Sequence, residues 1–331
     1  MNSGTRPLAS VSLDLDNQWS YMKTHGDAGW DAFPSYLDVV VPRVLDFLAK
    51  RSLTITFFVV GQDAALDRNR EPLAALSAAG HEIGNHSFHH EPWLHRYSRE
   101  QVDDEIARAE EHIERATGRR PIGFRGPGFS VSPAVLDVLV RRGYRYDAST
   151  FPTFIGPLAR AYYFMTSKLP ADELDKRRAL FGTFAQGFRP NRPYLWRTDS
   201  GELLEIPVTT MPLFRVPIHV SYLLYLGGAS PVLAQAYFRF ALTLCRLSGT
   251  QPSLLLHPLD FLGCDDTTAL SFFPGMGLRH ERKLGLVSMA LTELARHYEL
   301  VTMQRHAAAV AARPLRVTTI ARARFAQGSP P

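Results

Sequence analysis

Cysteine is nearly absent from this 331-residue chain, which holds only Cys245 and Cys264. A disulfide framework is therefore excluded, and so is a zinc site built on thiolates; both thiols read as free, in a reducing compartment. No apolar run is long and uninterrupted enough to read as a membrane span, and Met1 to Ala9 carries no apolar leader, so a cytoplasmic protein is expected. An excess of one charge is also missing. Lys+Arg number 37 against 32 Asp+Glu, and no basic stretch interleaved with aromatics accompanies the histidines, so nucleic acid is not an expected partner. No internal repeat is visible. A chain this long can bury a large core, and we read residues 1–331 as a single catalytic domain.

What is present is an alternation of strands and helices. Val11 to Asp16 alternates like a strand and ends in two acids, and Leu53 to Val60 is a short apolar run of the kind buried on both faces. Further strands are predicted at His81–Gly84, Ile122–Arg125, from Tyr144 to Asp147, Ser253–His257 and Leu300–Thr302. Helical spacing covers Pro34–Arg51, Glu71–Ala79, Ser98–Thr117, Ser132–Arg142 and Arg279–Tyr298. Ser98 with Gln101 forms a capping-box pattern, and Pro133 stands at a first helical position. This order predicts a parallel α/β sheet or barrel with its chemistry at the C-terminal ends of the strands. The rhythm breaks over residues 151–252, which hold 16 of the 36 aromatics and 11 Lys+Arg against 6 Asp+Glu. That concentration marks the stretch as an aromatic, basic insertion forming a lid or substrate region, with a buried helix pair as the plainer reading of its apolar runs. Residues 314–331 read as a flexible tail.

The candidate chemistry begins with His86 and His90. Four residues apart, on a helical turn they would share one face and offer two imidazole ligands to a divalent cation. Asp14 and Asp16 read either as a turn after the first strand, with Asn17 joining in, or as functional carboxylates. Joined to the histidines, Asp16 completes a set of three ligands that leaves a position open for water and substrate, and Asp14 is free to act as a base. Arg125 reads either as a surface arginine before a Pro/Gly turn or as a partner for Asp14. Gly128 allows a close backbone approach and an oxyanion donor. His257 is either a capped strand end or a general acid, with Asp147 expected to raise its pKa and fix its tautomer. His89 and His81 are expected to support the site without ligating.

Taken together, Ser12 to Asp16, Thr56 to Gly61, Gly80 to His90, Arg125-Gly126-Pro127, Asp147 to Phe151 and Leu255-Leu256-His257 resemble the polysaccharide deacetylases with a NodB homology domain, carbohydrate esterase family 4. The resemblance covers roughly residues 8 to 150 and 252 to 305. It implies an α/β fold: a distorted (β/α) barrel of about seven repeats, with a large insertion before the last barrel strands. It implies metal-dependent removal of an N-acyl group, usually acetyl, from an amino sugar; with the aromatic, basic insertion and the missing leader, the expected function is removal of acetyl or formyl from an amino sugar of a polysaccharide or lipid-linked glycan. By motif position, Asp14 resembles the base, Arg125 its tether, His257 the acid and Asp147 the residue that tunes it. Asp16, His86 and His90 resemble the ligands of one divalent ion, zinc first, with cobalt or nickel as alternatives. Phe151 takes the place of an aromatic lining the acyl pocket.

Asp14-Leu15-Asp16 departs from the family's adjacent acid pair, with a spacing associated with its intracellular, allantoinase-like branch. The chain also differs over 151–252 and after His257. An N-acylated glycoconjugate at the inner membrane face, with peripheral contact to the membrane surface, is the expected substrate setting. A small non-sugar amide is the alternative, and a non-catalytic glycan-binding module a third reading.

Overall fold

The structure, a computed structural model, describes residues 6–155 and 184–320. Its centre is β1 (Leu8–Leu15), which pairs in parallel with β2 (Thr56–Val59), β8 (Ser253–Leu256) and, at its start, β9 (Glu299–Val301). The two-residue period of a strand sorts its side chains. Val11, Leu13 and Leu15 join the main apolar core. Ser12 and Asp14 face the other way and meet Arg125, while Ser10 meets His306.

From β1 and β2 the sheet continues in parallel through β3 (Glu82–Asn85), β4 (Gly123–Phe124), β5 (Tyr146–Asp147) and β7 (Glu202–Glu205). β6 (Tyr194–Arg197) runs antiparallel to β7, and β10 (Val317–Thr319) extends that outer edge. Beyond β7 the chain bonds on both sides. Ile206 and Val208 donate to Asp147 and Thr150 (both 2.9 Å), and Thr209 N–H donates to Ser253 O at 3.1 Å. This closes β7 onto β8 and makes the sheet a distorted barrel, as the sequence predicts.

Helices clothe it. They are α1 (Gln18–His25), α2 (Leu37–Ala49), α3 (Gly61–Ala64), α4 (Arg70–Ala78), α5 (Arg99–Thr117) and α6 (Pro133–Arg141), then α7 (Val220–Ala229), α8 (Pro231–Leu247), α9 (His280–Ala295) and α10 (Met303–Ala311). The Ser98–Gln101 capping box forms in both directions. α10 closes the N-terminal end of the barrel. Met303 N–H donates to Thr56 Oγ1 (2.7 Å), Gln304 N–H to Glu82 Oε2 (2.8 Å), and His306 Nδ1 lies 2.9 Å from Ser10 Oγ. Access is thereby left to the opposite end, where the strands finish.

Two expectations need correction. Residues 151–252 are not wholly lid or substrate region, because β7 is barrel wall and its continuation closes the barrel. The run is too short and too acidic to show strand periodicity. Residues 156–183 of that stretch lie outside the described residues. The supposed tail from 314 contains β10, paired with β6; residues 321–331 lie outside the described residues.

Candidate active site

The end of β1 delivers Asp14 to the barrel mouth, and Asp16 follows on the loop. Asp16 Oδ1 stands 3.3 Å from His86 Nε2 and 2.9 Å from His90 Nε2. The three ligating atoms lie within 4.8 Å of one another. Despite these separations Asp16 Oδ1 is buried without a hydrogen bond. The groups converge on a common point; they do not meet as donor and acceptor. Burial alone would raise the Asp16 carboxyl, but the imidazoles of His90 and His86 outweigh it and hold it well below its ordinary range. His86 is pulled down by burial and raised on balance by Asp14 and Asp16. Its Nδ1 lies 2.6 Å from the Arg125 carbonyl, which fixes Nδ1 as donor and leaves Nε2 a bare lone pair. Two imidazole nitrogens, one carboxylate oxygen and a set tautomer fit a divalent cation with a position left open.

The histidines reach this arrangement by a different route from the helical turn expected. β3 ends at Asn85, and the following loop folds back through left-handed residues at Ser87 (φ 60) and His90 (φ 53). Left-handed backbone costs about 1–2 kcal/mol per residue, offset here by the clamps on the loop. Glu105 accepts from the Phe88 and His89 amides (3.0 Å each) and takes the His89 ring as well. Lys23 holds the His89 carbonyl at 3.2 Å. His89 is thus a support, as predicted. His81 accepts the Ile55 amide at 3.1 Å, at the start of β3. Beneath the ligands, buried Asp63 accepts from Asn17 (2.7 Å) and Trp19 (2.9 Å), and Tyr36 donates to the Asp16 carbonyl at 2.6 Å, fixing the loop that carries Asp16.

Arg125, fully buried, sets the second feature. Its Nη1 donates to Asp14 Oδ1 (2.6 Å) and Ser12 Oγ (2.8 Å), its Nε to the Ala148 carbonyl (3.0 Å), and its guanidinium lies over the Phe58 ring. Asp14 is therefore held by one oxygen, leaving Oδ2 for water. Across the mouth, His257 follows β8. Its Nδ1 lies 3.1 Å from Ser221 Oγ, Ser221 donates to Asp260 at 2.7 Å, and Asp260 also accepts the His257 amide at 2.8 Å. Between them stands an aromatic wall in which Phe129 stacks on Phe151 (4.8 Å), Phe151 meets His219 (5.4 Å), and His219 lies 6.3 Å from His257. Gly128 sits in the left-handed region at φ 58, where a Cβ would come 3.0 Å from Pro92 Cβ.

A model of the polysaccharide deacetylase family matches residues 27–146. Over that span the chain is similar to the family. Over 148 residues the chain is 29% identical to a peptidoglycan deacetylase of Helicobacter pylori, covering 43% of this chain and 49% of that one. Over 111 residues it is 36% identical to a peptidoglycan-N-acetylmuramic acid deacetylase of Bacillus subtilis, covering 33% and 41%. The matched part is thus less than half of either relative. A crystal structure of a candidate polysaccharide deacetylase from Mycobacterium smegmatis shares the fold, with TM-score 0.64, 20% identity and coverage of 98% and 97%. The residues that meet at the mouth also come from outside the matched span: Asp14 and Asp16 precede it, and His257 follows it.

One assignment is displaced. Asp147 does not hydrogen-bond to His257; Ser149 donates to it, and it contacts Glu205. The groups that hold His257 are Ser221 and Asp260. Sequence reasoning missed them and His219, although the departure His257-Pro258-Leu259-Asp260 was a usable sign. His219 Nδ1 is buried and unpartnered, and burial, reinforced by His257, brings that imidazole down to about 3, so it stays neutral.

Burial pushes both Asp147 and Glu205 up, and the Asp147 carboxylate pushes Glu205 up further. Each therefore releases its proton at a higher pH in the fold than in an unfolded chain, where carboxyls ionise near pH 4. Their contribution to stability is full below that pH and is lost as pH rises through the folded values. Glu205→Gln is therefore expected to flatten the fall of the unfolding midpoint with rising pH, measured by calorimetry in chelator. An unchanged slope would contradict this.

Proposed function

We propose that the chain is a metal-dependent hydrolase that removes an N-acyl group, acetyl or formyl, from an amino sugar of a glycan. The carrying observation is the buried convergence of Asp16, His86 and His90 beside an Asp14 carboxylate tethered by Arg125. The named activities of the relatives, which act on peptidoglycan, support the same class of substrate. Asp16, His86 and His90 would hold a divalent ion, zinc by its preference for imidazole and carboxylate, which would supply Lewis acidity to the reaction.

The chain's own residues do the rest. Asp14 Oδ2 accepts the proton of the attacking water while Arg125 holds Oδ1. The Gly128 segment offers a backbone N–H to the oxygen that gains charge. His257 returns a proton to the departing amine, with Ser221 and Asp260 orienting its ring. Phe151, stacked on Phe129, gives the acyl methyl an apolar wall.

The test is acetate or formate release by the full chain, zinc-loaded and chelator-stripped, from N-acetylglucosamine oligomers and peptidoglycan fragments. Zinc-dependent release supports the proposal. Turnover of allantoin or formamides with none of glycans would replace it by a small-amide hydrolase. Glycan binding without turnover by the loaded protein would mean a binding module. The acid role has its own check. Asp260→Asn is expected to slow amide hydrolysis roughly tenfold or more, within the range for a disturbed general acid. Hydrolysis of p-nitrophenyl acetate, whose leaving group needs no proton, should be unchanged. Equal losses on both substrates would remove Asp260 from the acid pathway.

A further inference from the structure

A cavity of about 620 Å³ opens beside the segment Ser248 to Gln251 that leads into β8. Arg192, Arg215, Arg313 and Arg316 line it, and among the described residues no Asp or Glu does. Arg215 Nη1 is buried with no hydrogen-bond partner. A guanidinium held this way lacks the acceptor its planar donors are built for, which a phosphate supplies.

The loop that carries Arg215 is built to expose apolar side chains. Leu213 (φ 70) and Arg215 (φ 55) both occupy the left-handed region. They are held there by Met211 N–H to Val216 O (2.8 Å), Arg215 N–H to Met211 O (2.8 Å) and Thr153 Oγ1 to Arg215 O (2.8 Å). Strain of this kind persists where the surroundings enforce it and gathers at working surfaces. The result is Leu213 at 81% and Phe214 at 57% exposure. Phe214 meets Phe240 of α8 at 6.4 Å, and Leu247, 79% exposed at the end of that helix, adjoins the cavity at Ser248.

We propose that this face of the protein docks on a bilayer containing anionic phospholipid, the arginine cavity taking a headgroup phosphate while Leu213, Phe214, Phe240 and Leu247 enter the interface. Four arginines, with no carboxylate among the described lining residues, beside an exposed aromatic and aliphatic rim have the chemistry of an interfacial anchor. Two more arginines, Arg322 and Arg324, follow in the sequence. No helix among the described residues is long and apolar enough to cross a membrane, so the contact is peripheral.

The test is co-sedimentation of the full chain with phosphatidylcholine vesicles, with and without phosphatidylglycerol. Binding is expected only with phosphatidylglycerol, and is expected to weaken as salt is raised. Removing charge should cost roughly fivefold per arginine, so Arg215→Gln with Arg313→Gln should lose roughly 25-fold. Leu213→Ser with Phe214→Ser should lose binding while the unfolding midpoint is kept. Equal binding to both vesicles, or to neither, overturns the proposal. So does retained binding by both double variants. Stabilisation of the free protein by inorganic pyrophosphate without vesicle binding assigns the cavity to a soluble anion and overturns it too. The salt series on the unaltered chain decides the matter even if a variant fails to fold.

Discussion

On the metal-dependent function proposed above, His86→Ala is expected to abolish divalent-ion binding and turnover together. His86 Nε2 is one of three ligating atoms, and its Nδ1 is committed to the Arg125 carbonyl, so no rotation of a neighbour replaces it. Loss of a partner outside the ligand shell costs about 10–100-fold in metal affinity or activity; loss of a ligand should exceed that. Metal content of the purified variant, measured against the unaltered chain by elemental analysis, checks it. The cavity left is small and the loop keeps its Glu105 and Lys23 clamps, so the fold should survive. A variant that binds metal as the parent does would remove His86 from the ligand set.

Asp14→Asn separates base from ligand. The amide is nearly isosteric and its oxygen can still accept from Arg125, so the metal should remain while turnover falls by about 10²–10⁴-fold, the usual worth of a general base. The paired measurement is metal content and the rate of acyl release on the same sample. Loss of both would make Asp14 a ligand. Unchanged turnover would place the base elsewhere. The two variants together distinguish a carboxylate that holds the ion from one that works beside it, though Asp14 and Asp16 are only two residues apart. β1 makes that distinction physically: its inward face ends at Asp14 against Arg125, and Asp16 lies past the strand, over the histidine loop.

Much of this site was legible in the chain. The acids at the end of the first strand, the two histidines, Arg125 and His257 could each be placed at a strand end, because a buried strand shows as a short apolar run and its end as the first polar residues after it. The pairing of Asp14 with Arg125, far apart in sequence, was anticipated because both fall at strand ends of one parallel sheet. β7 was not legible, since Glu202 to Glu205 has two apolar residues between acids and no alternation to read. Nor was α1, whose buried Trp19 and Ser20 make no apolar stripe.

By itself the sequence determined the order of the strands β1 to β5, β8 and β9 and of the longer helices packed on them, the caps, and the residue types available to ligate, take a proton and give one. These depend on the backbone's own periods, two for strands and 3.6 for helices, which act over a few residues. The tertiary structure alone decided which acid faces His257, that Asp147 is paired with Glu205, and that the histidines converge from a left-handed loop in place of a helix. Those outcomes follow from closure of β7 onto β8 and from the clamps of Glu105 and Lys23. Such contacts join residues whose sequence separation carries no local pattern, and only the packed barrel brings them within hydrogen-bond reach.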